Sequence, residues 1–164
     1  MVPLPCIKDV HLFEGNGPWA TKSGGHLKRL FQMSLSEAKD DFFHYEDGEQ
    51  GPDIRGFRVY VIEGLPENGI GGMEFHKIRK ELVFVLHGSV RWICEDLFGG
   101  RQEWILDGKT GLYMPPYILH TYYVQQAGTV LLAVANTLFT ADNPATHDTY
   151  SLELFRKRQG ELLP

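Results

Sequence analysis

The chain has 164 residues, of which 43% are hydrophobic, a size and composition typical of one folded domain. Its formal net charge is −5 and its 16 lysines and arginines are scattered, so no basic surface for nucleic acid or for a membrane is predicted. No apolar run approaches the roughly 20 residues that span a bilayer, and Cys6 and Cys94 form no closely spaced metal or redox pair, which favours a cytoplasmic protein with reduced thiols.

The first 55 residues are predicted to form an N-terminal extension that packs on a following barrel or on a partner subunit. Two short strands are candidates within it, Val10–Phe13 and Leu27–Phe31. Ser34 is followed three residues later by Glu37, a capping-box pattern that predicts one short helix running to about residue 43. Residues 44–47 are the best candidates for a lid over a pocket mouth.

From Gly56 onward, short β-branched and aromatic runs alternate with turn residues, which predicts an all-β sandwich or barrel. Eight strands of this length fit the double-sheet jelly roll, the cupin double-stranded β-helix. The barrel is predicted over residues 56–155, and residues 156–164 are predicted to be a C-terminal tail. The eight predicted strands are Arg58–Ile62, Met73–His76, Glu81–His87, Val90–Glu95, Gln102–Leu106, Gly111–Met114, His120–Val124 and Thr129–Ala135.

Strand geometry predicts which polar side chains meet inside the barrel. Successive residues of a strand point to opposite faces, so Glu74 and His76 project together. By the same rule Arg58 and Tyr60 share one face of the preceding strand. The polar side chains predicted to gather at one barrel mouth are Arg58, Tyr60, Glu74, His76, Glu81, His120 and Tyr122.

The remaining histidines and large aromatics have structural explanations. We expect isolated histidines to lie at the surface or in loops, and His87 to be structural because it ends a strand beside a turn. Leu82, Phe84 and Leu86 form an apolar stripe, which predicts that both faces of their strand are buried against a second sheet or subunit. The surface or loop histidines are His11, His26, His44 and His147, and the aromatics assigned to the core or a dimer face are Phe84, Trp92, Phe98 and Trp104.

Several short motifs over residues 56–155 together resemble one enzyme family. In chain order they are Arg58–Ile62, Pro66, Gly69, Gly72, His76–Lys77, Gly88–Ser89, Gly111–Pro116, Asp148–Tyr150 and Phe155. They are similar to the nucleotide-sugar 3,4-ketoisomerases, cupins that act on dTDP-4-keto-6-deoxyglucose. That family in turn resembles the C-terminal, WxcM-like domain of a bifunctional polysaccharide-biosynthesis enzyme.

The resemblance implies a homodimeric jelly roll without metal or other cofactor, which binds a nucleotide-sugar and moves a carbonyl between adjacent sugar carbons. In that family the segment matching residues 71–77 typically reads Arg, Gly, any residue, His, Ala, His, Lys. This chain has Gly71 in place of the arginine and Glu74 in place of the first histidine, while His76 and Lys77 match. The resemblance therefore carries Arg58, Tyr60 and His76 over as site residues and leaves the role of Glu74 open.

The first functional hypothesis is a sugar isomerase that needs one base and one acid. A carboxylate or an imidazole can serve as the base, and each general acid or base contributes about 10²–10⁴-fold. We expect His76 or Glu74 to move the proton, and Tyr60 and His120 to polarise the enediol oxygens. The residues expected to hold the nucleotide-sugar are Arg58, Lys77 and Tyr122.

Two other hypotheses remain open. The first is a metal-dependent cupin that binds a divalent transition metal through Glu74, His76, Glu81 and His120, since two carboxylates and two imidazoles suit Fe(II), Mn(II) or Zn(II). Glu81 reads equally well as the ion-pair partner of Lys77, Arg79 or Lys80. The second is a non-catalytic module that kept a sugar or nucleotide pocket without turnover.

Overall fold

The structure is a computed structural model that describes residues 3–46 and 52–163. These residues form twelve strands, an N-terminal helix α1 (Leu35–Glu37) and a C-terminal helix α2 (Leu152–Leu162). The strands are β1 (His11–Glu14), β2 (Asn16–Ala20), β3 (His26–Arg29), β4 (Arg55–Leu65), β5 (Ile70–Phe75), β6 (Glu81–His87), β7 (Ser89–Glu95), β8 (Arg101–Asp107), β9 (Thr110–Met114), β10 (Leu119–Val124), β11 (Thr129–Thr137) and β12 (Tyr150–Ser151).

Two antiparallel five-stranded sheets make the jelly roll. The first sheet has the order β1-β9-β6-β11-β4, and the second has the order β12-β5-β10-β7-β8. Strands β2 and β3 pair separately as a small hairpin. The predicted all-β cupin fold is therefore confirmed, and the short N-terminal helix is present.

All eight strands predicted from residue 56 onward are present, with small shifts at their ends. The predicted β7–β8 hairpin closes at Asp96, whose carboxylate accepts hydrogen bonds from the backbone N–H groups of Phe98 and Gly100 at 2.9 and 2.7 Å. The two candidate N-terminal strands are confirmed as β1 and β3. Strands β2 and β12 were not predicted, because β2 is exposed throughout and β12 has only two residues.

The core lies between the two sheets, and every second residue along a strand points into it. On β6, Val83 and Val85 point inward and are each 1% exposed, and they meet Leu106, Leu112 and Leu131 from other strands. Burying an aliphatic side chain of this size contributes about 1.5–3 kcal/mol. This packing fixes the spacing of the strands that carry the polar side chains at the mouth.

The N-terminal extension covers the outer face of the first sheet. Phe13, Phe31 and Phe42 pack on Leu82 and Phe84, so both faces of β6 are covered as predicted along most of its length. Leu86, the third residue of the predicted apolar stripe, lies at the end of the strand and is 45% exposed.

The predicted capping box opens the N-terminal helix. The Ser34 hydroxyl accepts from the Glu37 N–H at 3.2 Å, and the Glu37 carboxylate accepts from the Ser34 N–H at 2.8 Å. The helix continues as a π-helical turn over Ala38–Phe42. Of the predicted lid, residue 47 lies outside the described residues, and Tyr45 is held to the first sheet by hydrogen bonds to the Asn136 carbonyl and the Gly56 N–H.

The C-terminal segment differs from the sequence expectation of a barrel to residue 155 and then a tail. Helix α2 begins within the predicted barrel and occupies most of the predicted tail, with the Ser151 hydroxyl capping its start. Its anchor is Phe155, which is fully buried against Phe75, with ring centroids 5.4 Å apart. Because the helix has 11 residues and Phe155 is its one buried residue, little helical periodicity is detectable in this segment. Among the described residues, no helix has the length and apolar content to cross a membrane.

Candidate active site

A bulge in β5 aims the polar residues of that strand into the barrel. The pairing of β5 with β10 is irregular beside His120, where Gly72 and Met73 both have positive φ angles, 75° and 61°. A Cβ at Gly72 would lie 2.6 Å from the His120 carbonyl oxygen, so this close approach requires glycine. Bulges commonly re-aim side chains next to functional sites, and here Glu74 is brought opposite His120.

Three of the predicted residues meet at the barrel mouth, and we call Glu74, His76 and His120 the mouth cluster. The Glu74 Oε1 atom lies 4.0 Å from His76 Nε2 and 3.9 Å from His120 Nε2. Both imidazoles are buried, whereas the Glu74 side chain is 35% exposed. The mouth cluster thus combines two buried imidazoles with a carboxylate that reaches solvent.

Contacts of the His76 ring define its chemical state. Its Nδ1 lies 2.5 Å from the backbone carbonyl oxygen of Asp148, and because a carbonyl only accepts, Nδ1 carries the hydrogen. The Nε2 lone pair therefore faces Glu74 and Arg79. Burial, followed by the charge of Arg79, holds the pKa of His76 well below its usual range. His76 is a neutral imidazole whose Nε2 can take up a proton.

Asp148 organises the loop that follows β5, a role that the sequence analysis missed. Its buried carboxylate accepts hydrogen bonds from the backbone N–H groups of Lys77, Ile78 and Arg79, at 2.9, 2.9 and 2.7 Å. The same residue offers its carbonyl to His76. The motif comparison included Asp148, but no local pattern links it to residues about 70 positions earlier in the chain.

A second group of side chains extends the mouth cluster. The Glu81 Oε2 atom accepts a hydrogen bond from the Tyr60 hydroxyl at 2.8 Å and lies 3.5 Å from Arg79 Nη1. Burial, and then the charge of Glu81, raises the pKa of Tyr60, so the phenol keeps its proton and donates. Arg79 is the ion-pair partner of Glu81, one of the three partners predicted for it, and Arg79 Nη1 also lies 3.3 Å from His76 Nε2.

Arg58 lies on the inner face of β4 beside Tyr60, as the period of two requires. Its guanidinium carbon is 5.0 Å from the ring centroid of Tyr60 and 5.5 Å from that of Phe139. Burial, and then the charge of Arg79, lowers the pKa of Arg58. Its buried Nε has no hydrogen-bond partner among the described residues. A donor in this state is costly unless a ligand satisfies it.

Aromatic rings form one wall of the site. Trp92 stacks on His120 and on Tyr122, with centroid distances of 5.7 and 5.1 Å and interplanar angles of 11° and 16°. Trp92 is in the core, as predicted, and it also supports two residues of the site. Of the other aromatics assigned to the core or a dimer face, Phe84 is buried, Trp104 is partly buried and Phe98 is 48% exposed.

The Tyr122 phenol occupies the space beside Gly71. A Cβ built at Gly71 would lie 2.2 Å from the Tyr122 hydroxyl oxygen. An arginine at position 71 therefore cannot coexist with Tyr122 in this position. The Tyr122 phenol on β10 fills the space that a side chain at position 71 on β5 would need, and burial followed by the charge of Glu74 raises the pKa of that phenol.

Replacing Gly71 with alanine is expected to lower the free energy of unfolding by about 1–3 kcal/mol, because an added methyl group overlaps a buried ring. Urea denaturation measures this change. In a Tyr122→Ala background, where the ring is absent, Gly71→Ala should lower the free energy of unfolding by less than it does in the wild-type protein. Equal effects of Gly71→Ala in the two backgrounds would show that the two positions do not compete.

Lys77, which was predicted to bind substrate, does not join the mouth cluster. Its ammonium lies 4.2 Å from the ring centroid of Tyr150. The side chain lines a separate groove of about 1040 Å³, between the N-terminal segment and the loop after β5. His11, His26, His44 and His147 are exposed, as predicted, and His87 lies at the exposed end of β6.

The four-ligand metal site predicted as an alternative is not formed. Donor atoms of the mouth cluster lie within 4.8 Å of one another, which a metal ion could bridge. Glu81 is not among them, because its carboxylate turns to Tyr60 and Arg79. The Arg79 guanidinium, 3.3 Å from His76 Nε2, also repels a dication at that donor atom. The donor set therefore fits at most a three-residue site, and only if Arg79 moves away.

The environment of His76 leads to a prediction about pH. Since its pKa is lowered from 6.5, the ring should remain neutral at pH 6.5 and take up a proton only in more acidic solution. Histidine ring resonances followed by NMR between pH 8 and pH 4 measure this, with His76→Asn used to assign the signal. A histidine-containing peptide, with a pKa of about 6.5, is the control. A His76 midpoint at or above the peptide's would contradict the prediction.

Comparisons with known proteins agree with this fold. The family model described as FdtA, WxcM-like, C-terminal, matches residues 28–151 and so reaches into the N-terminal extension. No curated protein matches the chain. One similar solved structure is a mutant of the 3,4-ketoisomerase QdtA from Thermoanaerobacterium thermosaccharolyticum, in complex with TDP-4-keto-6-deoxyglucose. It is 20% identical to this chain with a TM-score of 0.66, and the match covers 94% of this chain and 96% of the QdtA chain.

Two further solved structures show the breadth of the similarity. WlaRA, a TDP-fucose-3,4-ketoisomerase from Campylobacter jejuni, is 16% identical with a TM-score of 0.63, and the match covers 94% of this chain and 98% of that one. A dTDP-4-dehydrorhamnose 3,5-epimerase from Bacillus anthracis has the same identity and TM-score, and the match covers 84% of this chain and 80% of the epimerase chain. At these identities the structures show a shared fold, and the chemistry depends on the site.

Proposed function

Because this chain belongs to the FdtA family of WxcM-like C-terminal domains, we propose that it is an isomerase of nucleotide-linked keto sugars. The reaction moves a carbonyl between adjacent sugar carbons by proton transfer, most specifically between C3 and C4 of a 4-keto-6-deoxy sugar. The observation that carries the proposal is the neutral, buried His76, whose Nε2 lone pair faces the mouth cluster. A neutral imidazole is the protonation state that a general base needs for proton abstraction next to a carbonyl.

His76 acts as the base in this proposal. Its Nε2 removes the proton from the carbon beside the carbonyl, and the Asp148 carbonyl holds the ring in the reactive tautomer. Glu74, within 4.0 Å of both imidazoles, stabilises the imidazolium formed on proton uptake and can pass protons between them. His120 and Tyr60 polarise the oxygens of the enediol, and His120 is fixed by its stacking on Trp92.

Arg58 and Tyr122 are the proposed substrate contacts. The buried Arg58 Nε lacks a partner among the described residues, so a sugar hydroxyl or phosphate oxygen would satisfy it. Tyr122 offers a phenol beside Glu74 and a flat ring supported by Trp92. Lys77 is left out, because its ammonium packs over the Tyr150 ring.

Incubation with TDP-4-keto-6-deoxyglucose in deuterated water tests the function. That compound is bound by the similar QdtA structure. Proton NMR should show loss of signal at a carbon next to the carbonyl, followed by a new keto sugar. Saturable binding without exchange would establish the non-catalytic binding module instead, and absence of both would reject the nucleotide-sugar assignment.

A metal-dependent enzyme is the second candidate. The observation that favours it is that the three donor atoms of the mouth cluster all lie within 4.8 Å of one another. Glutamate with two histidines is the donor set of mononuclear non-haem iron sites. We propose the metal-free reaction because Arg79 occupies the position beside the His76 donor atom. Elemental analysis of protein purified without chelators decides between them, since about one equivalent of a transition metal, lost in Glu74→Gln, would establish the metal site.

We also propose that the protein is a homodimer in the cytoplasm. On β4, Phe57, Val59 and Val61 point outward and are 58%, 51% and 51% exposed, an apolar row that a second subunit would cover. The described chain holds two free cysteines, which suits a reducing compartment. Light scattering should give twice the monomer mass. Val59→Glu should reduce that mass, whereas Ile105→Glu on the opposite sheet should not.

A further inference from the structure

Arg79 is a buried cation at the centre of the site. Its side chain is only 5% exposed, although guanidinium groups are rarely buried without a strong partner. The Nη1 atom lies 3.3 Å from His76 Nε2 and 3.5 Å from Glu81 Oε2. One guanidinium thus connects the proposed base with the carboxylate that holds Tyr60.

The Arg79 side chain is held in place along its length. Its Nε donates to the Thr137 hydroxyl at 3.3 Å, and its own backbone N–H donates to the Asp148 carboxylate at 2.7 Å. The guanidinium is therefore fixed before any substrate binds. Fixed charges in water-excluded sites stabilise developing charge most strongly, because they need no reorganisation during the reaction.

Neutralising Glu81 is the simplest role for Arg79, but the contacts show more than that. Glu81 already accepts a 2.8 Å hydrogen bond from Tyr60. Nη1 contacts the neutral imidazole as well as the carboxylate. A cation that served only Glu81 would have no need to lie beside the lone pair of a base.

Resting on the isomerase function proposed above, we propose that Arg79 is a further catalytic residue, which binds the oxyanion of the enediolate intermediate through Nη1. When His76 Nε2 takes the proton, the carbon–hydrogen bond breaks and its electron pair forms the carbon–carbon double bond. The carbonyl π electrons move to oxygen, which carries the negative charge. A proton then returns to the former carbonyl carbon, and the oxyanion there takes up a proton to become the new hydroxyl. The hydroxyl on the carbon that was deprotonated first loses its proton and becomes the new carbonyl.

The geometry places Arg79 where this charge appears. A carbon that gives its proton to Nε2 must come within about 3–3.5 Å of that atom. Its carbonyl neighbour, one bond away, then lies close to Nη1, which is 3.3 Å from the same nitrogen. Because Nε2 has a single lone pair, the Nη1 N–H must shift from Nε2 to the substrate oxygen as the substrate carbon approaches, and it then binds the oxyanion as the charge forms.

A double-variant experiment separates the catalytic role from simple neutralisation of Glu81. Four proteins are compared: wild type, Arg79→Met, Glu81→Gln, and the double variant, in which both buried charges are absent. Each is assayed for hydrogen exchange and turnover of TDP-4-keto-6-deoxyglucose, and thermal unfolding checks that each is folded. Arg79→Lys, which keeps the charge without the planar fork, is the conservative variant.

The expected result is that the double variant exchanges about 10²–10³-fold more slowly than Glu81→Gln, with kcat lowered and KM nearly unchanged. Arg79→Lys should recover part of that rate. This comparison stands even if Arg79→Met alone fails to fold, because the double variant leaves no unpaired buried charge. If the double variant exchanges as fast as Glu81→Gln, Arg79 has no catalytic role, but the proposed isomerase function is unaffected. If the wild-type protein shows no exchange, both the isomerase function and the role of Arg79 are overturned.

Discussion

Replacing His76 with asparagine is expected to lower the rate of hydrogen exchange from a 4-keto sugar nucleotide by about 10²–10⁴-fold, the usual contribution of a general base. Asparagine keeps a donor that can reach the Asp148 carbonyl, so the loop should stay in place while the proton acceptor is lost. Proton NMR in deuterated water, at substrate concentrations above KM, measures the rate. Binding of the nucleotide-sugar should be nearly unchanged.

The control for this variant is His26→Asn. His26 is exposed on β3, in the small hairpin outside the two sheets that carry the mouth cluster, so its replacement should leave exchange within about twofold of wild type. If His76→Asn exchanges as fast as this control, His76 is not the base. In that case Glu74 would be the remaining carboxylate in position to take the proton.

Replacing Asp148 with alanine is expected to lower the free energy of unfolding by about 2–4 kcal/mol. Three backbone N–H groups would lose their acceptor in a partly buried loop, and each unsatisfied group costs on the order of 1–3 kcal/mol before relaxation. Urea denaturation measures the effect. Activity should also fall, because the freed loop carries Arg79 and orients His76.

Two matched variants show whether the hydrogen bonds cause this loss. Burial raises the pKa of Asp148, so its charge is itself costly, and Asp148→Asn should be milder because it keeps one acceptor oxygen without that charge. Asp142→Ala, at an exposed position, should change stability by no more than about 0.5 kcal/mol. A loss in Asp148→Ala as small as in Asp142→Ala would mean that the loop keeps its conformation without the carboxylate.

Only part of the site could be predicted from the sequence. The period of two on β4 and β5 correctly indicated that Arg58 pairs with Tyr60 and that Glu74 lies beside His76, since alternation is a local property of strands. Alternation gave no direction for Lys77, because this residue follows the end of β5, and its ammonium packs over the Tyr150 ring. Arg79 lies in the same loop, and its burial depends on Asp148, Thr137 and Glu81 together.

The sequence by itself determined the jelly roll, the order of its strands along the chain and the residue types available at the mouth. Those features depend on short-range patterns of apolar, polar and turn residues. The tertiary structure alone decided the state of His76, the separation of Glu81 from the mouth cluster and the filling of the Gly71 position by Tyr122. Each depends on contacts between strands distant in sequence, because burial and neighbouring charge arise only when the sheets close on one another.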